Sequence, residues 1–314
     1  MTESLSYSRT NYKKFLAHLG TLLIMIAWGC SFLSTKILMV DGGLTPAEIY
    51  IYRFTGAYLL LLVFTFNKIF SNNWKDEFQF FICGLCAGSL YYVTENYALE
   101  RTTTGNVSLL ASTSPIMTTI LISLVYHTKI KAGVIIGSLI AFAGVICIIF
   151  SRGEGLEIHP LGDILALSAS FSWAIYTLVI KNLNPFYNSL FITRKLFFYG
   201  VITALPLMFF QDEPLHLSVI FNFDEPQFFL NFAFLVFVCS ALGYLIWSET
   251  MKVLGPVTAN NYLYLQPLVT MVAAYFVLDE QIYFLGYLGC MLIIGGLIFS
   301  DKVNMKFPRS RRVN

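Results

Sequence analysis

Long apolar stretches, each about the length needed to cross a bilayer, follow one another along the chain with only short polar breaks between them. A helix needs roughly 20 mainly apolar residues to span the hydrocarbon. Windows of that kind fall near residues 16–39, 45–66, 78–98, 104–125, 132–150, 161–180, 188–210, 227–249, 256–277 and 282–300, so the pattern predicts ten transmembrane helices. The segments lack the strict alternation of a lipid-facing β-strand, and the one from Ala132 to Phe150 contains no charge. Helices remain the way to satisfy every backbone group in lipid. The first span outruns a signal peptide and has no clear small-residue cleavage site, so it is expected to stay as helix 1.

Composition strengthens this picture. Of 314 residues, 57% are hydrophobic and 12% charged, against roughly 25% charged in a soluble domain. Mean hydropathy is +0.69. No aqueous globule of this size hides so much apolar surface, so the bilayer is the solvent. A net charge of +2 says little about partners, and neither a nucleic-acid partner nor a cofactor is expected. All six cysteines fall inside predicted spans, and Cys83-x-x-Cys86 lacks a second pair, which predicts packing rather than a disulfide or a metal site.

Charge sets the orientation. Lys and Arg in the tails and alternate loops number fourteen on the side that holds both termini, against Arg101 and Arg152 on the other. The positive-inside rule then places both termini in the cytoplasm, in the cell (inner) membrane.

Sliding the chain along itself by 152 positions superimposes Tyr92 on Tyr244, Pro115 on Pro267, Thr118 on Thr270, Gly137 on Gly289 and Gly144 on Gly296. Earlier in each half, Trp28 and Lys36 match Trp173 and Lys181 at a shift of 145, and Arg53 matches Arg194 at a shift of 141. Each half holds five predicted spans, an odd number, so the second half enters the membrane from the opposite side. The expected architecture is an all-α integral membrane protein of two inverted five-helix repeats around a central cavity. Its parts are a cytoplasmic tail over 1–15, a first repeat over 16–150, a linker over 151–160, a second repeat over 161–300 and a basic cytoplasmic tail over 301–314. Inverted repeats suit alternating access at a midplane site, which an intramembrane enzyme does not need.

The run Trp28-Gly29-Cys30-Ser31-Phe32 through Lys36, the Pro46 to Arg53-Phe54 helix, the Tyr97-Ala98-Leu99 segment leading to Pro115, and their second-half counterparts resemble the EamA-like family of the drug/metabolite transporter superfamily. The resemblance covers roughly residues 16–300. It implies ten helices around a central cavity and, commonly, export of amino acids or other metabolites.

In helix 4, Ser108, Ser112, Pro115 and Thr119 recur on one face; the related positions in helix 9 are Asn260, Tyr264, Pro267 and Met271. Pro115 and Pro267 interrupt their helices and free carbonyls, which suits a cavity wall, with Gln266 as a further polar candidate. The alternative is that these hydroxyls bond their own helix. Trp28, Tyr92, Trp173, Tyr176, Tyr244 and Trp247 offer aromatic faces to a substrate, although 16% of the chain is aromatic and many such rings must face lipid.

Charges within spans are costly unless paired or hydrated. Lys36, Arg53 and Glu95 are expected as an outer polar cluster and Lys181, Arg194 and Glu249 as an inner one, breaking and forming alternately as gates. For Lys36 and Lys181 snorkelling to the interface is the competing reading. Lys195, without a counterpart in the first half, is assigned to the cytoplasmic interface. Gly84-x-x-x-Gly88 and Gly133-x-x-x-Gly137 are read as packing motifs within the bundle. Asn106-Val107-Ser108 matches a glycosylation acceptor but sits too near the membrane to serve.

The sequence therefore predicts a secondary transporter, an exporter of small metabolites such as amino acids, rather than an enzyme. Without a nucleotide-binding loop, transport is facilitated or driven by an ion gradient, with Glu95 and Glu249 as candidates for proton coupling. A drug or other solute efflux carrier is the alternative, with an intramembrane enzyme or a channel behind it. The expected partners are a small-molecule substrate and the lipid bilayer, and a monomer is consistent with the sequence.

Overall fold

The computed structural model describes residues 2–99, 101–102, 104–151, 159–210, 215–222, 224–278 and 283–302. Most of the 151–160 linker, the tail beyond residue 302, Arg152 and the Asn106 side chain lie outside the described residues. Regular structure among the described residues is helical throughout. The α-helices are α1 Thr2–Val40, α2 Pro46–Thr65, α3 Trp74–Gly84, α4 Leu90–Leu99, α5 Thr104–Ala111, α6 Ser114–Tyr126, α7 Ala132–Ser151, α8 Pro160–Leu183, α9 Ser189–Ala204, α10 Leu217–Ile220, α11 Pro226–Ala233, α12 Gly243–Val253, α13 Pro256–Asn261, α14 Leu265–Leu278 and α15 Phe284–Lys302. Seven runs of the described residues are long and apolar enough to cross a membrane, and Phe284–Ser300 is a shorter apolar helix. The chain is a multi-pass helical membrane protein.

Local chemistry fixes several helix starts. Thr45 caps α2 in a reciprocal capping box with Glu48, with Pro46 in the first turn. Asn73 and Asn188 accept from Asp76 N and Phe191 N to cap α3 and α9. Gly255, at φ +86, turns the chain between α12 and α13, a conformation that suits glycine.

Interruptions recur at repeat-related places. The runs over 74–99 and 226–253 each contain a π-helical segment, Leu85–Ser89 in the first and Phe234–Leu242 in the second. A shift of 152 lays Leu85 on Phe237, inside the second segment. The stripe of Ser108, Ser112, Pro115 and Thr119 is interrupted: the helix breaks between Ala111 and Ser114, so α5 and α6 are separate, with Pro115 in the first turn of α6. In the second half a 3-10 turn at Tyr262–Tyr264 divides α13 from α14.

Packing between helices follows the same correspondence. α1 lies against α12 and α14, whereas α8 lies against α4 and α6; α2 lies against α9, and α7 against α15. The α7–α15 contact is antiparallel, because Gly137 meets Gly296 while Gly144 meets Gly289. A Cβ on Gly144 would stand 2.6 Å from the Gly289 carbonyl oxygen, and a Cβ on Gly289 2.6 Å from that of Gly144. Small residues at such a crossing let backbones touch. Gly84 and Gly88 likewise pack within the chain, against Tyr199 and Gly200 of α9.

Candidate functional site

Trp28 on α1 and Trp173 on α8 meet edge to face, with ring centroids 6.5 Å apart. Trp28 also approaches Tyr244 and Trp247 at 5.4 and 5.5 Å, and Trp173 approaches Tyr176 at 5.1 Å and Tyr91 at 5.7 Å. Tyr92 joins through Tyr91, 5.6 Å away. All six aromatic residues singled out in the sequence thus belong to one connected cluster. Sequence reasoning missed its other members, Tyr50, Phe54, Tyr91 and Phe197. Phe54 bridges the halves, 6.0 Å from Tyr92, 5.9 Å from Tyr244 and 5.1 Å from Phe197.

The two π-helical segments hold this cluster in place. Such segments leave carbonyls without their ordinary helical donors, and they concentrate at functional sites. Trp28 Nε1 donates to the Cys239 carbonyl at 2.8 Å, and Ser172 Oγ donates to the Cys86 carbonyl at 2.5 Å. A side chain from α1 serves one segment and a side chain from α8 the other.

Asn260 is fully buried beside Trp173, whose Nε1 donates to Asn260 Oδ1 at 2.9 Å. The Asn260 amide donates in turn to the Pro256 carbonyl and to Thr177 Oγ1. Replacing Asn260 with alanine leaves that indole N–H without its acceptor. The variant is expected to lose about 1–3 kcal/mol of stability, read as a lowered melting temperature of the purified protein. Ser112 and Thr119 donate to the carbonyls of Ser108 and Pro115 in their own helical turns. Tyr264 is fully buried, and Gln266 and Pro267 are half-buried.

The charged residues assemble differently from the expected clusters. Arg53 donates from Nε to Ser240 Oγ at 2.5 Å, with its guanidinium carbon 5.0 Å from the Phe54 ring centroid. Glu95, half-buried, accepts from the Tyr91 hydroxyl at 2.8 Å rather than pairing with Arg53. Tyr92 and Tyr244 lie within electrostatic range of both. Lys36 is exposed.

At the end of the bundle that carries the α2–α3 loop, Arg194 caps the end of α2. It donates to the Thr65 carbonyl at 2.6 Å and hydroxyl at 3.1 Å, and to the Lys68 and Ile69 carbonyls at 2.5 and 3.1 Å. Glu249 does not pair with it: its exposed carboxylate sits 3.5 Å from Lys252 Nζ and accepts from Ser189. Lys181 lies over the Tyr126 ring, 3.3 Å from its centroid. Lys195, assigned from the sequence to the cytoplasmic interface, has a partner that the sequence did not give it. It is 4% exposed and ion-paired with Glu77, which also accepts from the Tyr199 hydroxyl and from Ser71 N. The pairing partner is 118 positions away, so no local pattern announces it. Beside it, burial and the Asp76 carboxylate it donates to both raise the pKa of Tyr187.

The fold defines a multi-pass helical membrane bundle, and the comparisons give its class. Residues 15–150 and 160–300 each match the EamA-like transporter family. The chain belongs to that family, consistent with the drug/metabolite transporter superfamily. It is 29% identical to an uncharacterized transporter of Archaeoglobus fulgidus, over 89% of this chain and 95% of that protein. It is 24% identical to a probable amino-acid metabolite efflux pump of Escherichia coli K12, over 88% and 91%. A solved crystal structure with 17% identity superposes with a TM-score of 0.71 over 90% of this chain and 96% of its own, a likeness of fold.

Proposed function

We propose that this chain is a secondary carrier that exports small metabolites such as amino acids by alternating access. In this reading it crosses the cell membrane ten times as two inverted halves, 16–150 and 161–300, with both termini cytoplasmic. The observation that carries it is the meeting of repeat-related side chains, Trp28 with Trp173 and Tyr92 with Tyr244 through Phe54, in one buried cluster between the halves. The antiparallel crossing of the repeat-related helices α7 and α15 supports inversion, since a parallel repeat would bring such helices together in the same direction. The aromatic cluster draws all its members from one chain, which supports a monomer in this reading. The amino-acid reading draws on the Escherichia coli relative, a probable amino-acid metabolite efflux pump. The aromatic cluster supports efflux of a hydrophobic drug or other solute as the second reading, and an export panel of labelled amino acids and hydrophobic cations, run in vesicles holding the chain, separates the two.

Of the two glutamates, the geometry favours Glu95 for proton coupling, because it lies half-buried beside the aromatic cluster while the Glu249 side chain is 59% exposed. Wild-type transport is expected to respond to an imposed pH gradient, and Glu95→Gln to abolish that response. Wild-type flux indifferent to the gradient would remove the coupling.

A further inference from the structure

A guanidinium carries five N–H donors and cannot shed its charge. Arg53, 7% exposed on α2, directs one of them to Ser240, and among the described residues no carboxylate pairs with it. Its repeat counterpart Arg194 is also buried, yet it meets four acceptors from the α2 terminus and the loop after it. An arginine at this place in the repeat can therefore be satisfied by protein, and Arg53 is not.

A buried cation with donors left over is costly unless something else completes its hydrogen bonds. We propose that Arg53 anchors the carboxylate of the transported solute, so that the site takes carboxylate-bearing substrates and rejects their decarboxylated amines. The inference rests on the carrier reading. Arg53 sits against Phe54, within electrostatic range of Tyr50, Tyr92 and Tyr244. An anion held there is shielded from water on aromatic faces, where an arginine fork recognises a planar carboxylate with paired hydrogen bonds. A polar site built for a group discriminates strongly against the analogue that lacks it, because its own donors then stay unpaired.

The test uses the full chain in lipid nanodiscs, followed by tryptophan fluorescence. Three of its four tryptophans, Trp28, Trp173 and Trp247, lie in the cluster. Leucine, phenylalanine and threonine are titrated beside their decarboxylated amines and their 2-oxo acids. Wild type is expected to bind at least one of the acids, amino or 2-oxo, about 100-fold or more tightly than the matching amine. Arg53→Gln is expected to erase that preference, and Arg53→Lys to restore only part of it. Comparison of acid with amine in wild type needs no variant, so a misfolded Arg53→Gln does not shield the idea. Equal binding of amine and acid by wild type, or acid binding untouched in a folded Arg53→Gln, overturns it. Counterflow of the amines by wild type would overturn this inference while leaving the carrier intact; no binding or counterflow of any probe would overturn both.

Discussion

Gly144→Leu and Gly289→Leu should each deprive the chain of a stable fold, whereas Gly295→Leu should be close to silent. At Gly144 and Gly289 the first side-chain carbon would meet the partner's carbonyl oxygen at 2.6 Å, and backbone cannot swing aside as a flexible side chain can. The helices must separate, which forfeits packing along the whole α7–α15 contact and costs about 3 kcal/mol or more. Gly295, on the same helix and one residue from Gly296, has nothing within 4 Å of its Cβ position, so it controls for the loss of glycine itself. Melting temperature and the monodisperse fraction after purification read the difference. Equal behaviour of all three variants would mean that α7 and α15 do not touch as described.

Lys195→Met is the second large effect. It leaves Glu77 buried with its cation gone, and removing one partner of a buried pair typically costs about 3–5 kcal/mol. The pair joins α9 to the start of α3, beside the loop carbonyls that Arg194 holds, so its loss is expected to free that end of the bundle. With the native cysteines replaced, a cysteine at Thr193, a position 1% exposed, reports the change. Its reaction with a membrane-impermeant maleimide added on the α2–α3 loop side should rise about tenfold or more in Lys195→Met and in Glu77→Gln. Unchanged labelling in both would mean that the pair does not hold that end of the bundle together.

How legible this arrangement is in the sequence depends on how far apart the interacting residues lie. Apolar windows locate the helices because hydropathy is a local property, and the fixed shift of 152 marks Gly137 and Gly144 as the equivalents of Gly289 and Gly296, the four glycines at the α7–α15 crossing. Four of the six aromatic residues, Trp28 with Trp173 and Tyr92 with Tyr244, are marked out by their repeat relation among rings that are common along the whole chain, whereas Tyr176 and Trp247 have no aromatic counterpart in the first half. The π-helical segment at Leu85–Ser89 leaves no mark in apolar periodicity, and Phe54 and Phe197 resemble any other membrane phenylalanine. The charged clusters are not legible in this way, because position along a span gives depth and not partner. Glu95 and Arg53, expected at one depth, bond to Tyr91 and Ser240, and Lys195, in the middle of its helix, finds Glu77 only through the approach of α9 to α3.

The central claim is that the site opens to the two sides of the membrane in turn, and counterflow tests it most directly. Proteoliposomes holding the purified chain are loaded with a high concentration of an unlabelled amino acid that the export panel has shown to be carried, then diluted into a trace of the same solute labelled. The carrier account predicts that label rises inside above its external concentration before decaying, and that it does not do so in liposomes loaded with buffer. Label that enters equally fast with or without internal solute, and never exceeds its external concentration, would contradict it.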